Sequence, residues 1–122
     1  MLKISVKQLR NVAVVGLDGQ IVRGDTENLR TRVLSLSRAG AVVLDFARVT
    51  MIDAGGLGAL LELRAQLESR GTQFALMHLS QSVRLVLAIT RLDSVFKIAR
   101  VREVVPAAQP QSRRARVLAS CA

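Results

Sequence analysis

Apolar runs of strand type alternate with stretches of helical periodicity over most of this chain. That alternation restricts the folds open to it more than any single motif does. Leu2, Ile4 and Val6 alternate with polar residues, and Val12 to Leu17 is an apolar run that stops at Asp18-Gly19, a turn signal. Residues 2–7 and 12–17 therefore read as a hairpin with Leu9 to Asn11 as its connection. Asp25-Thr26 offers an N-cap for an amphipathic helix over 26–38, with Leu29, Val33 and Leu36 at i, i+4, i+7 and Gly40 at the C-cap. Ala41 to Phe46 suits a buried parallel strand, ended at Asp45. A second helix over 55–70 follows, with Leu57, Leu60, Leu61, Leu63 and Leu67 on a broad apolar arc and Gly71 as its stop. Gln73 to Leu79 reads as another buried strand, and Ser80 or Ser82 caps a third helix through Leu92. Val95 to Ile98 is a short last strand, and Val101 to Val105 a final helical turn closed by Pro106.

The order β-β-α-β-α-β-α-β predicts an α/β domain on a mixed sheet of four or five strands. Right-handed crossovers, and too few helices to cover two faces, place the helices mainly on one face. A chain of 122 residues fits one domain, and half of them are hydrophobic, enough for a core without metal or disulfide. The domain is expected over 1–105. Residues 106–122 carry Arg113, Arg114 and Arg116 and no acid, and read as a flexible basic tail.

Composition then removes function classes. The lone Cys121 excludes an internal disulfide and a Cys-rich metal site, and the lone His78 argues against a His-based metal site or triad. His78 itself, in an apolar strand, is expected to be packed. The net charge of +9 is compatible with nucleic acid, but with no Trp or Tyr and only three Phe the base-stacking platforms are nearly absent, which disfavours that partner. No apolar run approaches the roughly 20 residues of a membrane span. The start MLKISVKQLR lacks the order of a signal peptide, so the cytoplasm is the expected compartment.

The most informative stretch is Asp53-Ala54-Gly55-Gly56-Leu57-Gly58 at the opening of the second helix. Glycines there let backbone come close, and free N–H groups at a helix start favour an anion. The functional reading is a phosphate or partner site at the C-terminal end of a parallel strand. The structural reading is a tight turn in which Asp53 caps the helix. No P-loop pattern occurs. Asp45 and Asp53 flank one strand without a neighbouring nucleophile, so no catalytic residue, cofactor or metal is expected.

The run Val42 to Leu61, VVLDFARVTMIDAGGLGALL, resembles the signature of the STAS family, the sulfate-transporter and anti-sigma factor antagonist domains. Val83 to Ala99, VRLVLAITRLDSVFKIA, is similar to that family's third helix and last strand. The resemblance covers about residues 2–105 and implies a compact sheet-plus-helices domain that binds a protein. In the antagonists the loop reads Asp-Ser-Ser-Gly-Leu-Gly, and the second serine is phosphorylated by a GHKL-type serine kinase, the anti-sigma factor. Those two positions are Ala54 and Gly55 here, so the phosphoacceptor is missing. Accessory subunits of phospholipid-transport ABC permeases carry Asp-Thr-Gly-Gly-Leu, which this chain matches at Asp53, Gly55, Gly56 and Leu57.

What the resemblance implies is a non-enzymatic regulatory binding module with a kinase-type anti-sigma factor as partner. The expected contact patch is Asp18, Gly19, Asp25 and Thr26, with Asp53, Ala54, Gly55, Gly56, Leu57, Gly58 and Leu61. The alternative is an accessory subunit that sits against the ATPase of a lipid-transport permease. A homodimer stays open.

Overall fold

The computed structural model describes residues 2–36 and 38–100. Strand β1 (Lys3–Leu9) and strand β2 (Val12–Ile21) form an antiparallel hairpin. Arg10, at φ 55, turns the chain between Leu9 and Val12. Helix α1 (Thr26–Leu34), strand β3 (Ala41–Ile52), helix α2 (Ala54–Ser69), strand β4 (Gln73–Met77), helix α3 (Gln81–Ile89) and strand β5 (Lys97–Ala99) follow. The sheet has the order β1-β2-β3-β4-β5, parallel from β2 onward. Each parallel crossover steps one strand in the same direction, so right-handed connections put all three helices on one face.

The core lies under those helices. Ala13, Val15 and Leu17 of β2, Val42, Leu44 and Phe46 of β3, and Phe74 and Leu76 of β4 alternate onto that face. They pack with Leu29 and Val33 of α1, Leu57, Leu60, Leu63 and Leu67 of α2, and Val83 and Leu87 of α3. The intervening residues Val12, Val43, Ala75, Met77 and Ala99 form a second, smaller buried cluster on the other face.

Several boundaries differ from expectation, each for a local reason. Asp18-Gly19 is not a turn but lies inside β2. The register slips between Gly16 and Asp18 and between Gly19 and Gln20, with Gly19 at φ 125, so the strand bends and continues to Ile21. β3 likewise does not end at Asp45. It runs 12 residues because β2 still offers partners, Gln20 to Met51 and Ile21 to Ile52. α1 stops at Leu34, before the expected end at 38, and Gly40 is no C-cap. Its N–H donates to Asn11 Oδ1 at 2.9 Å at the entry to β3, so tightly that a side chain at 40 would overlap the Asn11 amide.

β4 ends at Met77 rather than Leu79, and α3 ends at Ile89 rather than Leu92. Ser80 supplies the cap of α3, accepting from Val83 N at 3.2 Å. Gly71, at φ 80, terminates α2 as expected: Gly71 N donates to Glu68 O and Thr72 N to Leu67 O. β5 starts two residues after the expected Val95 and ends one residue after Ile98, at Lys97–Ala99. The expected turn at Val101 to Val105 and the tail 106–122 lie outside the described residues.

Candidate functional site

Asp53 closes the junction between β3 and α2. Its backbone is extended, with φ −110 and ψ −175, and its Oδ1 accepts from Gly56 N at 2.8 Å. Both carboxylate oxygens also accept from Arg23 N, at 3.2 and 3.1 Å. One side chain therefore caps α2 and ties the β2–α1 loop across its start. The donors favour the ionised carboxylate. Gly56 N–H acts most, then Arg23 N–H, and together against some burial they hold Asp53 below its ordinary 3.8.

The glycines have unequal tasks. A methyl on Gly56 would overlap the Ile21 carbonyl, so this glycine is what lets α2 start against the end of β2. A Cβ on Gly55 would lie 2.9 Å from Arg23 Cβ and 3.2 Å from Arg23 Cα, so the Arg23 segment closes over that position. A Cβ on Gly58 meets nothing within 4 Å. Gly58 therefore opens to solvent and is not required by packing.

α2 begins with an apolar surface that the fold covers only in part: Leu61 packs against the core with one side and meets solvent with the other. From Ala54 to Leu61 it carries no polar side chain. Gly56, Leu57, Ala59 and Leu60 are buried, whereas Ala54 is exposed and Gly58 and Leu61 are half-buried. At about 100° per residue, Ala54, Gly58, Leu61 and Ala65 form one outward line. Its α1 flank is marked by Glu62, which pairs with Arg30 at 3.1 Å; Arg30 also meets Glu27 at 3.3 Å. Leu57, expected at the edge, is a core residue at 8% exposure.

The other expected residues are not all brought together. Thr26 is buried at the start of α1, and Asp25 stands at its N-cap position without a side-chain capping bond. Asp18 lines a cavity of about 370 Å³ with Lys3, Ser5, Asp45 and Arg48, beside Gly16 of the helix-free face. Asp18 and Arg48 approach to 3.9 Å there. Gly19 belongs to the strand leading to Ile21, and its carbonyl accepts from Thr50 Oγ1 at 3.2 Å.

His78 is not packed in a strand. It is exposed, at φ 61, and its Nδ1 lies 2.9 Å from Asp45 Oδ1. Asp45 also accepts from Ala47 N at 2.9 Å. Sequence reasoning missed this pair because the residues are far apart in the chain and meet only through the β3–β4 pairing. The register, which sets Asp45 opposite Met77, was the signal available.

The arrangement is a two-layer α/β domain, three helices over one face of a five-stranded sheet, with the apolar start of α2 partly open to solvent. The STAS domain family matches residues 3–105, and the chain belongs to that family. It is 28% identical over 109 residues to BtrV of Bordetella bronchiseptica, named as a candidate anti-sigma factor antagonist, across 88% of this chain and 94% of that one. Its fold matches the anti-sigma factor antagonist SpoIIAA in its unphosphorylated form, at TM-score 0.72 and 18% identity, over 89% of this chain and 98% of that one. It also matches a sulfate transporter family protein from Wolinella succinogenes, at TM-score 0.65 and 19% identity, over 84% and 89%. Among the described residues no helix is long and apolar enough to cross a membrane.

Proposed function

We propose that the protein is a non-enzymatic, cytoplasmic regulatory module of the anti-sigma factor antagonist type, which docks a GHKL-type serine kinase through the outer face of α2. The observation that carries this is the start of that helix. A helix apolar on every side is normally buried on every side. Here Ala54, Gly58 and Leu61 meet solvent, and a protein partner supplies the missing cover. The BtrV relationship supports the choice of partner.

Docking on this module is independent of phosphorylation. Ala54 and Gly55 have no hydroxyl, Arg23 backs onto Gly55, and the Thr50 hydroxyl donates to Gly19 O. The test is calorimetric titration against the kinase-type anti-sigma factor of the same genome, with ATP and with ADP. Equal affinity in both is expected, with no phosphate between Thr50 and Ser69 by mass spectrometry. Gly58→Arg, which fills an open position, is expected to abolish binding while holding or raising the melting temperature. Stoichiometric phosphate in that segment, or undiminished binding by Gly58→Arg, overturns the reading. A second reading rests on Gly55-Gly56, which fits the permease accessory pattern. Binding to the permease ATPase instead of the kinase selects it.

A further inference from the structure

Helix α3 carries a second apolar surface, separate from the α2 site. Of Gln81–Ile89 only Val83 and Leu87 are buried. Leu85 and Ile89, one turn apart on the outer side, are 60% and 72% exposed. A single exposed leucine is ordinary on a protein surface. Two large aliphatic side chains at i and i+4 form a ridge. The surroundings of that ridge are cationic. On the helix and just past its end, from Ser80 to Asp93, the chain has Arg84 and Arg91 against one carboxylate, Asp93. Arg84 and Arg91 are exposed.

Arg91 adds a second observation. It occupies a left-handed conformation, φ 60, just past the end of α3, where Arg91 N donates to Ala88 O and Leu92 N to Leu87 O. Glycine takes that position without strain. An arginine there keeps a cation at the end of the ridge.

We propose that α3 is a second docking surface, fitted to an acidic amphipathic helix of a protein partner. The partner's apolar side covers Leu85 and Ile89, and its carboxylates face Arg84 and Arg91. A second copy of this chain does not suit the surface. A two-fold contact through α3 would set Arg84 and Arg91 of both copies against each other. A lipid surface suits it less, because two aliphatic side chains on a short helix offer little of the continuous apolar face that interfacial helices bury. The two surfaces are also apart. α3 follows β4, which ends opposite Asp45, while α2 starts only after β3 has run on to Ile52.

The probe is a synthetic helical peptide of about 18 residues with leucines at i, i+3, i+4 and i+7 and flanking glutamates. A copy with lysines in place of glutamates serves as control. The full-length, isotope-labelled protein is titrated and its amide shifts are mapped, with affinity read by fluorescence anisotropy. The glutamate peptide is expected to bind with shifts centred on α3, and the lysine peptide not to bind. Leu85→Asp and Ile89→Asp each weaken binding about tenfold or more. Arg91→Gly weakens it several-fold while holding or raising the melting temperature, which separates lost charge from lost fold.

Absence of binding, equal binding of both peptides, or shifts that ignore α3 overturn the proposal. So does binding to phosphatidylglycerol vesicles, without peptide binding, that Leu85→Asp removes; that result assigns the ridge to lipid. A dimer that the same substitution disperses overturns it in favour of self-association.

Discussion

Asp53 is the residue whose loss reaches furthest, because its carboxylate serves two segments at once. Asp53→Ala removes a helix cap and leaves Arg23 N–H without this acceptor. Asp53→Ala is expected to lower the urea midpoint at pH 7. Asp53→Asn keeps an acceptor oxygen and costs less. Because folding lowers the carboxyl below its ordinary 3.8, the stabilisation from its charge is present above that value and is lost as pH falls through it toward the folded-state value. The stability gap between wild type and Asp53→Asn is therefore expected to narrow below about pH 4. The neighbouring glycines separate packing from function. Gly56→Ala drives a methyl into the Ile21 carbonyl and should cost about 3 kcal/mol. Gly58→Ala enters open space in a helix and should stabilise by about 0.5–1 kcal/mol. Thermal melts that ranked the two alike would contradict this assignment of roles.

Among the elements, α2 was the most legible. Its leucine arc, its cap at Asp53 and its stop at Gly71 are local signals, and all three stand in the structure. What stayed hidden depends on neighbours. The length of β3 is set by the matching length of β2, and the bend at Asp18-Gly19 is a bulge that local sequence cannot tell from a turn. The end of α1 at Leu34 and the role of Gly40 depend on Asn11, which the fold brings across from the hairpin turn. Within the candidate site the glycine run was visible, but not which glycine does what. Gly56 answers to Ile21 at the end of β2 and Gly55 to Arg23 in the β2–α1 loop. The junction is thus a pair of elements locked to each other. Gly55→Ser is expected to lower stability by about 1 kcal/mol, because Arg23 must shift to admit a Cβ. Amide exchange at Arg23 and Gly24 is the readout. Unchanged protection there would show that the loop does not press on the helix.

At the scale of the whole molecule, a layered α/β domain with its helices on one face still buries apolar side chains on the other. Val43 is 3% exposed and Met77 4%, close to Leu60 at 0% under the helices. The two clusters share strands, since Val42 and Leu44 point into one and Val43 into the other. Neither can loosen without disturbing backbone that the other needs, so the domain should unfold as one unit. Leu60→Ala removes a side chain from the main core and is expected to cost about 3 kcal/mol. Val43→Ala removes less volume from the smaller cluster and is expected to cost about 2 kcal/mol. Met51, 47% exposed on the same strand, should tolerate alanine within about 0.5 kcal/mol. Far-ultraviolet circular dichroism and scanning calorimetry should report one coincident transition for each variant. A Val43→Ala protein that melts in two steps, or that loses no stability, would show that the helix-free face is not part of the cooperative core.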